Sequence, residues 1–248
     1  MIDLWRLAAV LLGPVVGSFI GLVSLRLPAG RPVVFGRSAC GTCGRTLGPL
    51  DLVPVASFLV LRGRCGGCGA AIPRRYLAME LGCLAIGVTS AFLHAGDFAL
   101  IGAAFGWALL LIATIDAEHF WLPDRLTLPL GLVGILLAAV HPDLDLRSSL
   151  IGAAVGFGSL WLLAWAYRRI RGREGLGGGD PRLFGAIGAW VGWSGLPSVL
   201  VWASIAGFSV LAATALSGKP LSSNQRLPFG TFLAVGAWIV WHFGLIGA

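Results

Sequence analysis

The sequence predicts an all-α polytopic membrane protein of about eight transmembrane helices, with a small loop outside the membrane between helices 1 and 2. Of the 248 residues, 57% are apolar and 12% are charged, whereas an ordinary soluble domain is about 45–50% apolar and about 25% charged. The mean hydropathy of +0.87 agrees with this class. The same composition excludes intrinsic disorder, which needs low hydrophobicity and high net charge. Five cysteines are too few for a disulfide scaffold of this size.

Apolar stretches of transmembrane length recur along the whole chain. A helix of roughly 20 apolar residues crosses the hydrocarbon core, whereas spanning β-strands would show alternation over roughly 10 residues. The first stretch contains Arg6 and lacks the short apolar region of a signal peptide, so we predict a retained helix. The predicted spans cover residues 4–25, 76–95, 98–115, 126–140, 148–167, 183–196, 198–217 and 228–246.

These spans divide the chain into three predicted parts. Residues 1–25 form the first transmembrane helix, and residues 26–75 form the only loop large enough for a soluble subdomain. Residues 76–248 form a membrane domain of seven helices.

The positive charges are distributed unequally between the two sides of the membrane. With eight spans, 16 of the 18 Lys and Arg residues fall on one side, and only Arg6 and Arg147 fall on the other. Cytoplasmic loops carry such an excess, so this side is predicted to be cytoplasmic and both termini to lie outside. The loop 26–75 holds eight arginines and one acid, Asp51, and its cations can also attract anionic membrane lipids. Because aromatic residues are not interleaved with these arginines, no nucleic-acid partner is predicted.

Four of the five cysteines form two C-x-x-C pairs in this loop. Each pair is followed by glycine, and 21 residues separate the pairs. This pattern is typical of a structural zinc site with four cysteine ligands. The cytoplasm keeps thiols reduced, which disfavours disulfides, and a redox pair or non-binding thiols are the alternatives. The predicted zinc ligands are Cys40, Cys43, Cys65 and Cys68.

Five acidic residues cluster at the predicted cytoplasmic edge of the membrane, where ionisable groups are costly and commonly functional. Two carboxylates in one site can share a proton, so that one acts as a base toward water while the other polarises a carbonyl. This is aspartic-protease chemistry, and it needs neither a metal nor a nucleophilic side chain. The five acids are Asp116, Glu118, Asp124, Glu174 and Asp180.

Structural roles are the alternatives for the two aspartates nearest the spans. Asp180 follows three glycines and precedes Pro181, which is also typical of a helix N-cap. Asp116 could instead pair with a boundary arginine such as Arg125. The sequence contains no H-E-x-x-H zinc motif and no G-x-S-x-G motif, so the paired acids are the strongest catalytic candidates.

Six blocks in the correct order resemble the type IV prepilin peptidases, the leader peptidases and N-methyltransferases of pilus and type II secretion systems. Residues 17–28 are similar to the family's opening G-S-F-x-N-V-x-x-x-R-x-P, and the cysteine pairs are similar to its zinc loop. Residues 115–127 resemble the I-D-x-E-x-x-x-L-P-D-x-L-T block, and residues 177–180 resemble the G-x-G-D block. The other two blocks are Arg75-Tyr76 with Glu80, and Pro228-Phe229-Gly230 with Phe232-Leu233-Ala234.

The resemblance implies that Asp116 and Asp180 are the dyad of a GxGD-type membrane aspartic endopeptidase. It implies removal of the basic leader from prepilin or pseudopilin precursors at the cytoplasmic side of the bacterial inner membrane. N-methylation from S-adenosylmethionine would follow, although no residue is assigned to that cofactor. We expect Glu118, Asp124 and Glu174 to attract the leader. The residues expected to support the site or the substrate are Glu118, Asp124, Gly177, Gly178, Gly179 and Arg182.

The chain departs from the family pattern at several positions, none of which is a predicted catalytic aspartate. Gly21 replaces an asparagine, and Leu77 and Thr231 stand where proline is common. Pro181-Arg182 follows the second aspartate, where the family usually has x-K. The competing hypothesis is a non-catalytic membrane scaffold or assembly factor, whose zinc loop docks partners and whose aspartates only cap helices.

Overall fold

The predicted all-helical class is confirmed in the computed structural model, which describes residues 3–33, 37–173, 175–218 and 227–244. Within these ranges the chain forms eight α-helices, a 3-10 turn at Leu50–Leu52, and two isolated β-bridges in the cysteine loop. The helices are α1 (Leu4–Arg26), α2 (Ala56–Val60), α3 (Arg74–Leu93), α4 (Phe98–His119), α5 (Asp124–Val140), α6 (Leu146–Arg171), α7 (Asp180–Leu216) and α8 (Phe229–Phe243).

Five of these helices, α1, α3, α4, α6 and α7, are long and apolar enough to cross a membrane. In the described part of the chain, the expected number of about eight spans is therefore too high by this criterion. Helix α5 has 17 residues and α8 has 15, which correspond to about 26 Å and 22 Å of helix, whereas the hydrocarbon core is roughly 30 Å thick. The predicted sixth and seventh spans lie together in the 37 residues of α7.

The chain reverses its direction within α7, at Gly192. The backbone there is non-helical, with φ 71° and ψ 172°, a conformation that glycine adopts readily. The starts of α7 and α8 both contact Leu122, and Gly207 contacts Phe232 near the start of α8. A straight helix would separate the start of α7 from Gly207 by about 40 Å, so the two arms must fold back on each other. The two arms correspond to the two predicted spans, with the break at Gly192 instead of Pro197.

The chain divides into two compact units, Met1–Leu111 and Ile112–Ala248. In the first unit, α1 packs on α3 through small residues: a Cβ on Gly13 would lie 2.7 Å from the Cys83 carbonyl oxygen, and one on Gly17 would lie 2.5 Å from the Glu80 Cα. Such close backbone approach is typical of helices that associate in membranes. Other faces of α1 expose large apolar side chains, as a lipid-facing surface does: Leu4, Leu11, Val15 and Phe19.

The second unit is built around the two arms of α7. The first arm packs on α6, where the backbones of Gly152 and Gly188 touch and the Ser149 hydroxyl donates to the Ala189 carbonyl at 2.6 Å. The second arm packs on α8, where a Cβ on Gly236 would lie 2.5 Å from a carbonyl oxygen of α7. These contacts hold the starts of α7 and α8 close to the end of α4.

Candidate active site and metal centre

Two buried aspartates lie at helix ends in the second unit. Asp116 stands in the last turn of α4, and Asp180 is the first residue of α7. Only 4% of Asp116 and 5% of Asp180 is exposed. A buried carboxylate is costly unless hydrogen-bond donors surround it, so the donors show how each residue is held.

Asp116 is held by the start of α8. The backbone N–H of Thr231 donates to Asp116 Oδ2 at 2.8 Å, and the Thr231 hydroxyl lies 3.2 Å from the same oxygen. Gly230 adjoins the same carboxylate, since a Cβ there would lie 3.0 Å from Asp116 Oδ2. The first N–H groups of a helix lack intrahelical partners and favour negative charge. In the described part of the chain, the carboxylate is therefore satisfied by α8 and not by Arg125.

The Thr231 hydroxyl is shared between two oxygens. It lies 3.0 Å from the Ala113 carbonyl oxygen and 3.2 Å from Asp116 Oδ2. A hydroxyl has one hydrogen to donate and can also accept. It can donate to an ionised Asp116, or it can accept from a protonated Asp116 while donating to Ala113. Thr231 therefore suits both protonation states of the carboxylate.

Asp180 is held by the glycine turn that precedes it. The backbone N–H of Gly177 donates to Asp180 Oδ2 at 2.9 Å, and the N–H of Asp180 donates back to the Gly177 carbonyl at 3.2 Å. The N-cap residue of α7 is Gly179, without a side-chain capping bond, so the alternative of Asp180 as a simple N-cap is wrong. A Cβ on Gly177 would lie 3.0 Å from Oδ2, so glycine gives this carboxylate the room it needs.

Leu122 joins the two sides of the site. A Cβ on Gly179 would lie 2.5 Å from Leu122 Cβ, and one on Gly230 would lie 2.8 Å from Leu122 Cδ1 and 3.0 Å from Asp116 Oδ2. Gly179 directly precedes Asp180, and Gly230 adjoins the Asp116 carboxylate, so the backbone beside each aspartate packs on the same apolar side chain. The two carboxylates are close enough to interact electrostatically. One substrate can therefore meet two buried carboxylates, which is the requirement for shared-proton chemistry.

The other predicted support residues lie nearer the surface. Arg182 pairs with Asp124 at 2.6 Å, and both side chains are about half exposed. Glu118 is also partly exposed, at 42% of its side chain. Gly178 has open space where a Cβ would stand, so it makes none of the close approaches of its neighbours. Glu174 lies outside the described residues.

Sequence reasoning misses Thr231 and Leu122 as site residues. The replacement of a common proline by Thr231 was the available signal, since proline has no N–H to donate. Leu122 carries no comparable signal, because an apolar residue between two polar segments is ordinary in a membrane protein.

The four predicted zinc ligands come together in the first unit. The Sγ atoms of Cys40, Cys43, Cys65 and Cys68 all lie within 4.8 Å of one another, and those of Cys40 and Cys68 are 3.9 Å apart. Tetrahedral coordination with metal–sulfur bonds of about 2.3 Å places the sulfurs about 3.8 Å apart. The cluster therefore fits a metal ion, as predicted.

The two cysteine pairs lie on matching turns. Gly44 and Gly69, which follow the pairs, both have φ of 71°, a value that disfavours side chains other than glycine. Backbone N–H groups, that of Cys43 first, donate to Cys40 and lower the pKa of its thiol to about 6. The N–H groups of residues 67 and 68 likewise lower the pKa of Cys65. The thiolate is the form that binds metal, so the turns prepare these sulfurs as ligands.

Fold and site together define a multi-pass helical membrane protein with a buried aspartate pair and a four-cysteine metal centre. Two family models match this chain: the type IV leader peptidase family over residues 103–212, and the bacterial peptidase A24 N-terminal domain over residues 11–94. The first match contains both aspartates, and the second contains all four clustered cysteines.

Curated relatives cover most of the chain. A protein from Dichelobacter nodosus named prepilin leader peptidase/N-methyltransferase is 44% identical to this chain, and the match covers 84% of this chain and 71% of the relative. A protein of the same name from Burkholderia pseudomallei is 38% identical, and the match covers 95% of this chain and 84% of the relative. A Pseudomonas aeruginosa relative of the same name matches at 34% identity over 96% of this chain and 90% of its own. No solved structure matches. The chain belongs to the type IV leader peptidase family, as its motifs predict, and it is a multi-pass inner-membrane protein.

Proposed function

We propose that Asp116 and Asp180 are the catalytic pair with which this type IV leader peptidase cuts the basic leader from prepilin-like precursors and exposes a new N-terminus for methylation. The observation that carries the proposal is that Asp116 and Asp180, 64 residues apart in sequence, are both buried and have neighbouring backbone packed on the same side chain, Leu122. Buried acids at a membrane edge are costly. A purely structural role would not require two of them to face each other.

The hydrogen bonds support different roles for the two aspartates. Asp116 accepts from the N–H of Thr231 and has the Thr231 hydroxyl nearby, whereas the described donor to Asp180 is the N–H of Gly177. Donors stabilise the ionised form of a carboxylate. Asp116 is therefore the base, and Asp180 holds the shared proton.

The hydrolysis then proceeds in two balanced steps. Asp116 takes a proton from water as the water oxygen bonds to the carbonyl carbon of the last leader residue, and Asp180 gives its proton to the carbonyl oxygen. The tetrahedral intermediate collapses when Asp116 passes its proton to the leaving nitrogen and the carbon–nitrogen bond breaks. Asp180 recovers a proton from the intermediate's hydroxyl. One water is consumed, and the products are the leader's carboxylic acid and the amine of the mature chain.

The second proposed activity is methylation of that new amine. S-adenosylmethionine supplies an electrophilic methyl group on a sulfonium cation. The amine must be deprotonated to attack it, and S-adenosylhomocysteine leaves. The same names that the relatives carry, prepilin leader peptidase/N-methyltransferase, support this half of the proposal.

The four-cysteine cluster is proposed to hold zinc with a structural role. Four thiolates fill all positions of tetrahedral zinc and leave none for water or substrate. The metal would tie the two turns of the loop to each other. Few residues in the described part of this loop belong to a helix. Metal–sulfur bonds would therefore contribute much of the stability of its folded conformation.

The orientation is proposed from the charges, with the cysteine loop and both aspartates cytoplasmic and both termini outside. The positive-inside rule supports this, because the loop 26–75 alone carries eight arginines. A cysteine appended at the C-terminus should react with a membrane-impermeant maleimide on intact spheroplasts. Labelling only after permeabilisation would reverse the orientation.

The catalytic proposal is tested by replacing each aspartate with asparagine. Asp116→Asn and Asp180→Asn keep the side-chain shape and should each lower the cleavage rate on the order of 10³-fold or more, because neither amide can carry the shuttled proton. Asp143→Asn, an exposed acid between α5 and α6, is the matched control and should cleave normally. Mass spectrometry of a purified precursor reports cleavage, its position and methylation together. Near-normal cleavage by either dyad variant would refute the assignment.

A further inference from the structure

The first unit contains a cavity that the hydrolysis does not use. Its volume is about 390 Å³, and α1, the cysteine loop and the start of α3 enclose it. Small-molecule sites commonly measure about 300–1,000 Å³ and combine apolar walls with a few placed polar groups. The lining groups that bear on a ligand are Arg26, Arg31, Phe58, Tyr76 and Glu80.

Glu80 is the buried charge of this cavity. Only 6% of the residue is exposed, and its Oε2 accepts the backbone N–H of Val55 at 2.7 Å. Among the residues that the structure describes, this N–H is the one donor to Glu80, and a buried carboxylate needs further donors or a cation. A ligand in the cavity can supply both.

The same bond fixes an unusual backbone at Val55. This residue has φ of 61°, a value rarely adopted by β-branched residues. Such conformations persist only where surrounding structure enforces them, and they cluster at functional sites. Glu80 thus couples the wall of the cavity to the linker between the two cysteine turns.

The arginines that line the cavity have different partners. Arg45 pairs with the carboxylate of Asp51 at 2.8 Å. Arg26 donates to the Pro32 carbonyl, which is a neutral acceptor. Arg31 is exposed at the cavity. The cavity therefore presents cationic groups, a buried anion and aromatic side chains to one ligand.

We propose that this cavity binds S-adenosylmethionine, an inference that rests on the proposed methyltransferase function. The ligand carries a carboxylate for the arginines, ribose hydroxyls and positive charge for Glu80, and a planar adenine for Phe58 or Tyr76. Each class of group on the ligand has a complementary group in the cavity, and the volume suits a molecule of this size. The assignment also gives a role to the Arg75-Tyr76 to Glu80 block, which peptide hydrolysis leaves without one.

The test combines cross-linking of the wild type with binding to variants, on the full chain in detergent micelles. Tritiated S-adenosylmethionine is bound and irradiated with ultraviolet light, and the labelled peptides are identified by mass spectrometry. We expect the label within residues 38–80. The binding constant is measured separately by equilibrium dialysis for wild type, Glu80→Gln and the Asp143→Asn control.

Glu80→Gln keeps an oxygen that can accept from Val55 but removes the negative charge. It should weaken S-adenosylmethionine binding about tenfold or more, since hydrogen bonds to charged groups are the strong ones, while precursor cleavage and metal content stay normal. Wild-type affinity in Glu80→Gln, or label confined to residues 112–248, overturns the assigned site. If methylation of the cleaved precursor is still observed then, the proposed function stands without this site. If the wild type neither binds nor methylates, the methyltransferase function itself is refuted.

Discussion

Thr231 offers the sharpest test of how Asp116 is held. Thr231→Val keeps the shape of the side chain and its backbone N–H, and removes only the hydroxyl that lies 3.2 Å from Asp116 Oδ2. A hydrogen bond to a charged group is worth about 1.5–3 kcal/mol, and the length of this one places it at the lower end of that range. We therefore expect kcat for precursor cleavage to fall about tenfold, at about 1.4 kcal/mol per factor of ten.

Thr231→Pro removes the 2.8 Å N–H bond as well as the hydroxyl. Proline is tolerated in the first turn of a helix, where the N–H is not needed within the helix, so α8 should still form. Loss of both donors should lower kcat about 100-fold, by the same values per bond.

The assay is single-turnover cleavage of a purified precursor, with Thr231→Ser as the matched control. Serine keeps both the hydroxyl and the N–H, so the Thr231→Ser variant should cleave the precursor at a rate within about twofold of wild type. That difference is small compared with the roughly tenfold loss expected when the hydrogen bond is removed. Equal metal content and thermal stability across the set would exclude misfolding. Equal cleavage rates for Thr231→Val and Thr231→Ser would exclude this role, because the hydroxyl would then make no energetic contribution at Asp116.

Three further predictions concern the glycine turn, the leader and the metal. Gly179→Ala should abolish cleavage and lower the melting temperature, because its Cβ would lie 2.5 Å from Leu122 Cβ, and adding Leu122→Ala should restore part of the lost stability; a fully active single variant would contradict the packing. Neutralising both partly exposed acids, Glu118→Gln together with Asp124→Asn, should weaken binding of a basic leader at low salt and have little effect at high salt, because exposed charges are screened by salt; fluorescence titration at the two salt concentrations measures this, and unchanged affinity at low salt would contradict the attraction. Cys40→Ser should lower the bound zinc measured by elemental mass spectrometry to well below one ion per chain and expose the loop to proteolysis, and unchanged zinc would remove this sulfur from the ligand set.

Much of the fold and site follows from the sequence because the physical constraints are local. A hydrocarbon core sets the length of each apolar stretch, so the predicted first span, 4–25, ends within one residue of α1. Paired C-x-x-C turns place sulfurs for a metal through backbone geometry alone, and Gly44 and Gly69 adopt the same positive φ. The two aspartates stand out because charge is scarce elsewhere in the membrane segments.

The parts that sequence reasoning misses depend on tertiary contacts. Thr231 donates to a carboxylate 115 residues away, and no local pattern reports a partner at that separation. The predicted spans 183–196 and 198–217 place the break in α7 at residue 197, yet the chain turns at Gly192 and leaves Pro197 inside the helix. The break has a positive φ of 71°, a conformation that glycine adopts readily and other residues rarely do.

The helices that begin at the site are all short for a membrane span. Helix α5 has 17 residues, α8 has 15, and the first arm of α7 runs only from Asp180 to the break at Gly192, so their lengths are about 26, 22 and 18 Å. Against a core of roughly 30 Å, helices that reach the far side of the membrane stop about 4–12 Å short of the near side. We therefore expect a recess at the starts of these helices once the protein lies in a membrane, beside Leu122 and the two buried aspartates. Hydrolysis needs water at both carboxylates, and full-length spans would surround them with lipid and protein. The same shortness that reduces the number of full-length spans is therefore expected to give the aspartate pair its access to water.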